Sequence, residues 1–293
     1  MTRALRRLMW AAWEPAARRA ARAYVAGPEL HDALRVCDEL AGKGFRTAIC
    51  PWHSEQTSRT VADSYLRALR ALDGAGRDCY LSIKAPDLEY SSALMDEILE
   101  AARSSSTTIH FDALGPEAAD RTWQLIEASA GRGVTIGCTL PARWRRSVSD
   151  VDRVLALDLR VRIVKGQWED PEGAVRDVEA AYLSLIDRLA GRGRQVAVAT
   201  HVPRLARRAV DSLHRAGSTC ELELLFGLPT RGTVDVARRG GVPIRFYVPY
   251  GHAWLPYSLS QLRRHPGILY WTFRDWLKGS RRTLRSHAMV IDR

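Results

Sequence analysis

The chain has 293 residues, 46% hydrophobic and 26% charged. That is long enough to bury a core without staples and too apolar for a disordered chain. No apolar run reaches the ~18 residues of a membrane span, which argues against a transmembrane protein. The net charge is +11, and it is nearly all arginine: of 44 basic residues only Lys43, Lys84, Lys165 and Lys278 are lysine. Such a balance suits nucleic acid, anionic lipid or an acidic protein, or else reflects codon composition. Because the arginines are spread over many segments and no recognised nucleic-acid module occurs, no nucleic-acid partner is expected.

Residues 1–26 carry six arginines against Glu14, with Leu5, Leu8, Met9, Ala12 and Trp13 at helical spacing. This predicts a basic amphipathic helix, broken near Pro15, that packs on its own domain. Peripheral membrane contact is the alternative. A helix over 29–42 follows, closed by Gly42. From there short β-rich runs alternate with helical stretches. The runs are 45–50, 79–84, 107–113, 134–140, 161–166, 195–201, 221–227 and 243–251, and several intervening helices close on glycine. Eight strand–helix units in ~200–250 residues predict an α/β fold, a (β/α)8 TIM-like barrel with an N-terminal helical extension. The competing open doubly wound sheet usually carries G-x-G-x-x-G after its first strand, and none is present. The expected organisation is a helical segment over 1–43, a barrel over 44–278 and a basic tail over 279–293.

Five cysteines, Cys37, Cys50, Cys79, Cys138 and Cys220, form no CxxC and read as free thiols of a reducing compartment. With no signal-peptide pattern, the expected location is the cytoplasm. Neither HxH nor HExxH occurs, so no metal is expected, and the absence of G-x-S-x-G leaves a serine triad without support.

Chemistry in such a barrel gathers at the C-terminal strand ends. Those ends carry Lys84, Asp112, Thr139, Arg162, Lys165, Thr200, His201, Glu221, Glu223, Arg245, Tyr247 and Tyr250. Two of the four lysines, Lys84 and Lys165, end apolar strands, where a charge is costly unless it meets a cavity or a counter-charge. Asp112 is the natural partner for one of them. The alternative is that each lysine snorkels past the rim to water.

At these positions the chain resembles the proline dehydrogenase family, FAD-dependent (β/α)8 barrels that oxidise proline to pyrroline-5-carboxylate. The resemblance runs from about residue 24 to 277. It rests on the joint order of SIK (82–84), HFDA (110–113), RIVKG (162–166), ATH (199–201), ELELLFG (221–227), YVPYG (247–251) and W-x-P-Y (254–257). It implies FAD, with Arg162 reaching the isoalloxazine and ribityl region. Val164, Lys165, Gly166, Thr139, Thr200, His201, Glu221 and Glu223 would complete the cofactor surface. It implies a catalytic group of Lys84, Asp112, Tyr247 and Tyr257 on the substrate side, lined by Trp168 and Leu225.

The departures are specific. The family's last barrel helix reads Y-x-x-R-R-x-x-E, and its arginine pair clamps the proline carboxylate. Here the segment is YSLSQLRRHP (257–266), so Ser260 and Gln261 stand at the arginine positions and Arg264 at the glutamate position. KGAY becomes KGQW (165–168), and FQ becomes Leu222–Glu223. Loss of a bidentate arginine clamp makes free proline a poor substrate. The expectation is an FAD-dependent dehydrogenase of CH–NH-type donors. It would pass a hydride to flavin N5 by C–N or N–N oxidation, from an amine or an amino acid tethered to an acidic carrier protein. Quinone or oxygen would be the final acceptor. The alternatives are a genuine proline dehydrogenase that rebuilds its clamp from Arg263 and Arg264, and a flavin-less binding barrel.

Overall fold

Period-2 runs rich in Val, Ile and Leu form strands, and the amphipathic stretches between them form helices. The computed structural model describes residues 25–53, 56–74 and 76–251. Its strands are β1 (Arg46–Pro51), β2 (Cys79–Ile83), β3 (Ile109–Phe111), β4 (Ile136–Pro141), β5 (Arg160–Val164), β6 (Gln195–Ala199), β7 (Cys220–Leu225) and β8 (Ile244–Tyr250). They pair in chain order, all parallel, and β8 pairs with β1 to close the barrel. The fold is the TIM-like barrel that the alternation of elements implies.

Around it stand α1 (Leu30–Ala41), α2 (Ser58–Leu72), α3 (Ser92–Ser104), α4 (Ala119–Ser129), α5 (Ser147–Ala156), α6 (Val178–Leu189), α7 (Pro203–Arg215) and α8 (Arg231–Gly240). Local signals set their ends. Thr57 and Asp177 cap α2 and α6 by accepting backbone N–H bonds, α7 begins on a proline, and α8 stops at Gly241 in the left-handed region. α1 packs against β1 and β8 and so fills the ring position between them. The chain ahead of it is pinned to the barrel, with Ala26 N–H donating to Pro249 O at 2.9 Å and Gly251 N–H to Gly27 O at 2.9 Å.

The strands divide their side chains cleanly. Ile49, Leu81, Ile83, Phe111, Leu140, Val161, Ile163, Val198, Leu222, Leu224 and Val248 join the helices in one buried apolar cluster. Each such side chain contributes about 1.5–3 kcal/mol. The alternate positions fill the barrel, and here they are polar. Tyr80, Ser82, His110, Asp112, Arg160, Arg162, Glu221, Glu223 and Arg245 are all buried. Small residues make room for them: Ala197 pairs in register with both Arg162 and Glu221, and Gly137 with both His110 and Arg160. A Cβ on Gly137 would lie 2.5 Å from His110 Nδ1, so only glycine lets that imidazole stand inside.

The N-terminal helix of residues 1–26 up to Tyr24, the basic tail 279–293, and Tyr257, Ser260, Gln261, Arg263 and Arg264 lie outside the described residues. No helix among the described residues is long and apolar enough to cross a membrane. All five cysteines are free thiols.

Candidate active site

β5 carries the centre of the site. Arg162 projects into the barrel and reaches four partners. Its Nη1 donates to Glu223 Oε1 at 2.6 Å, its Nε to Thr139 Oγ1 at 3.1 Å, and its Nη2 to Asp112 and to Ser82 Oγ at 3.4 Å. Tyr247 lies under the guanidinium, with the ring centroid 5.1 Å from Cζ. Burial opposes the charge, but the facing Glu223 and Asp112 carboxylates hold Arg162 protonated, well above the ordinary arginine value.

Asp112, just beyond β3, receives the other half of the cluster. Ser82 Oγ donates to its Oδ1 at 2.6 Å and Tyr247 Oη to its Oδ2 at 2.7 Å. Burial works against ionisation of Asp112, yet Arg162 and Lys84 keep its carboxyl below the usual range. Burial and the Asp112 charge push the Tyr247 phenol up, so it remains a donor.

Lys84 ends β2 facing inward. Its ammonium donates to Cys50 Sγ at 3.0 Å and to Pro51 O at 3.1 Å, both at the end of β1. It does not reach past the rim, and it stays protonated against the penalty of burial because anionic groups face it, Asp112 among them. Cys50 is fully buried, and burial raises its thiol to about 11. It stands 3.5 Å from Asp112 Oδ2 and is a neutral donor there. His53, beyond β1, is pushed down to about 4 by burial and by Lys84, and stays neutral.

The remaining cofactor-side positions spread around the rim. Lys165 lies half-exposed and pairs with Glu179 of α6 at 3.0 Å. Val164 O accepts from Ala142 N–H at 2.8 Å, tying the ends of β4 and β5. Gly166 has φ +88, and a Cβ there would lie 2.8 Å from Pro141 Cβ, so the rim between these strands stays free of side chain. Trp168 O accepts from Trp144 Nε1 at 3.2 Å. Thr200 Oγ1 accepts from Val202 N–H at 3.2 Å. His201 Nε2 accepts the Leu225 N–H at 3.0 Å, and its Nδ1 lies 3.2 Å from Pro229 O. The bond at Nε2 fixes the proton on Nδ1.

Glu221 and Glu223 sit deeper than a rim ligand. Glu223 accepts from Tyr80 Oη at 2.7 and 2.8 Å as well as from Arg162. Glu221 accepts from Arg160, from Arg245 Nε at 2.8 Å and from Arg46 Nη1 at 3.2 Å. Burial penalises its charge, but Arg160 and Arg245 hold the carboxyl at about 2. Tyr80 stands between those two guanidiniums, 4.5 and 4.9 Å from its ring centroid. The floor of the site is therefore a lattice of four arginines and two glutamates, with Arg160 bonded to both acids.

The sequence alone does not assign Cys50, Arg160 or Arg143 to this region. The first two occupy inward positions next to named residues on their own strands or neighbouring ones. Arg143 follows β4, and its Nε donates to Gly166 O at 3.0 Å. Its terminal nitrogens have no acidic partner among the described residues, which leaves a cation at the rim beside Gly166.

No protein-family model matches the chain. It is 24% identical over 275 residues to Proline dehydrogenase 1 of Bacillus subtilis subsp. natto, covering 88% of this chain and 91% of that one. It is 23% identical over 230 residues to Proline dehydrogenase 2 of Bacillus subtilis (strain 168), covering 76% and 74%. Among solved structures it is similar to proline utilization A of Bdellovibrio bacteriovorus, with a TM-score of 0.70, 15% identity and 84% of this chain covered. The corresponding protein of Corynebacterium freiburgense gives 0.68, 17% and 94%. The chain spans about a third of the length of these two proteins, 32% and 34%. The sequence likeness to these proline dehydrogenases runs over most of both chains, and the solved structures share the barrel fold.

Proposed function

We propose that the chain is an FAD-dependent dehydrogenase of CH–NH-type donors. Its substrate would be an amine or amino-acid derivative with a masked carboxylate, such as an aminoacyl thioester on an acidic carrier protein. The observation that carries this reading is a contrast. The cluster of Lys84, Asp112, Arg162 and Tyr247 is assembled at the mouth, whereas serine and glutamine occupy positions 260 and 261, where the family's carboxylate clamp has arginines. Within the described mouth the Arg162 guanidinium is fully committed to Asp112, Glu223, Thr139 and Ser82. It is not free to replace that clamp.

The residues present fit FAD. Arg143 and Lys165 supply positive charge beside the Gly166 turn, where a diphosphate would approach backbone closely. Arg162, Thr139 and Val164 line the next step inward, with Thr200, His201 and Leu225 across the mouth. FAD, when bound, supplies the two-electron acceptor for a hydride, and quinone or oxygen would then take the electrons. The chain's own groups do the positioning. Asp112 remains an anion, and a substrate N–H would take the acceptor site that the weak Cys50 thiol donor holds at 3.5 Å. Lys84 and Tyr247 keep it ionised and oriented, and Trp168 would cover the substrate. Because Asp112 is a weak base in this setting, the substrate amine must arrive neutral.

The test is reconstitution of the full chain with FAD, followed by turnover with an artificial acceptor. The flavin absorbance band should appear. An aminoacyl thioester should be oxidised and free L-proline should be a poor substrate. Robust saturable oxidation of free proline would instead show a clamp rebuilt from Arg263 and Arg264. Absence of a flavin band would leave a binding barrel.

A further inference from the structure

The surface arginines are not distributed evenly with respect to acids. On the ring from α1 to α6 many are neutralised by a neighbour, although Arg67, Arg70 and Arg121 have no ion pair among the described residues. Arg35 pairs with Glu39, Arg59 with Asp63 and Glu97, Arg103 with Glu100, Arg153 with Glu127 and Arg188 with Asp152. The adjoining helices α7 and α8 differ. They carry Arg204, Arg207, Arg208, Arg215, Arg231, Arg238 and Arg239 against only Asp211 and Asp235. Of the seven, only Arg204 has an ion-pair partner among the described residues, Glu179 at 2.5 Å. Arg215 and Arg239 turn back to donate to backbone carbonyls of their own helices.

The two helices form one surface. Pro203 at the head of α7 lies against Gly232 at the head of α8, where a Cβ would come within 2.8 Å. At their far ends Val210 and His214 lie 3.4 and 3.8 Å from the Cβ position of Gly240. Glycine at both contacts lets α8 lie close along α7, so the exposed arginines of both helices make a continuous basic face. That face starts at the mouth, because α7 and α8 follow the ends of β6 and β7, and Arg204 and Arg231 stand in their first turns.

We propose that the α7–α8 face docks an acidic protein, the carrier that presents the tethered substrate to the mouth. This rests on the masked-carboxylate reading above. A bilayer is the weaker occupant. The exposed large apolar side chain among the described residues is Val148, on α5, so α7–α8 offers no apolar wedge to a membrane. Uncompensated charge on a rigid surface steers and orients an oppositely charged partner, and the effect is screened over about 8 Å at physiological salt.

The test uses the full chain and a probe of stated chemistry: a carrier domain with an acidic surface, bearing a prolyl thioester on its phosphopantetheine arm. The R207E/R208E/R238E/R239E variant should bind this probe at least about ten-fold more weakly, with the difference vanishing at high salt. Oxidation of prolyl-pantetheine, which has no carrier, should be unchanged. The milder R238Q/R239Q variant should show an intermediate loss, and reversal of the paired Arg35 and Arg153 none. Carrier binding that is equal in wild type and variant, or absent from both, overturns the proposal. So does arginine-dependent binding to phosphatidylglycerol vesicles that exceeds binding to the carrier. Binding needs no turnover, so a protein that docks the carrier without oxidising it refutes the enzymatic reading alone.

Discussion

Arg162 is the residue whose removal should be most damaging. It neutralises Asp112 and Glu223 at once in a buried site. The Arg162→Met variant leaves both carboxylates without their main counter-charge, and a broken buried pair typically costs about 3–5 kcal/mol. Urea unfolding should show a loss of that order, and Arg162→Lys should recover little because an ammonium cannot span both acids. The same cluster fixes the pH response of the chemistry. Asp112 is held below its usual range, Lys84 and Tyr247 above theirs, His53 at about 4 and Cys50 at about 11. None of these groups changes charge between about pH 5 and 10. For the proposed amine oxidation the kcat/KM profile should therefore rise with a single-proton slope and level off at the pKa of the amine supplied, moving when the amine is changed. A limb near neutrality that stays fixed across amines of different basicity would mean that an enzyme group outside this cluster titrates.

At the scale of elements, the strands were legible because apolar alternation marks them; the eight runs read from sequence fall on β1 to β8 within a few residues at each end. What the pattern hides is which side is which. R-V-R-I-V in β5 and C-E-L-E-L-L in β7 alternate like half-exposed strands of an antiparallel sheet. Here the apolar residues face the helices and the charges face a closed interior. That is why Arg162 and Glu223 could be named from motif positions while Arg160 and Arg245 could not be placed as their supports. Cys50 was legible only as a buried thiol, since its contact with Lys84 depends on the β1–β2 register. The same logic applies to β4. Gly137 looks like a weak point in a strand, yet it exists to admit His110. Gly137→Ala should destabilise the barrel by about 1–3 kcal/mol through overpacking, and Gly137→Ala combined with His110→Ala should lose less than the sum of the two changes. Additive losses in that cycle would show that the glycine serves some other contact.

For the whole molecule, the interior lattice joins distant parts of the chain. Glu221 of β7 bonds Arg160 of β5, Arg245 of β8 and Arg46 of β1, while Arg245 also reaches Thr47 O and Asp78. Protonating Glu221 would remove the one carboxylate that all three arginines share, leaving Arg160 with Glu223 and Arg46 and Arg245 with Asp78. Its folded-state pKa is depressed to about 2 from an ordinary 4.5. The stability it contributes is thus fully present above the unfolded value and is lost as pH falls from about 4.5 toward 2. The linkage amounts to about 3 kcal/mol for that one group, with the depressed Asp112 adding in the same direction. Since the lattice ties β1, β5, β7 and β8 together, the barrel should unfold in acid as one cooperative step, tracked equally by far-UV circular dichroism and tryptophan fluorescence. Glu221→Gln should be less stable at pH 7, because three arginines lose a shared buried carboxylate. It should also show a shallower fall in unfolding free energy across that acid window. Exposed carboxylates titrate alike in both proteins, so an unchanged slope in the variant would place the acid sensitivity on the surface and not in the barrel's interior.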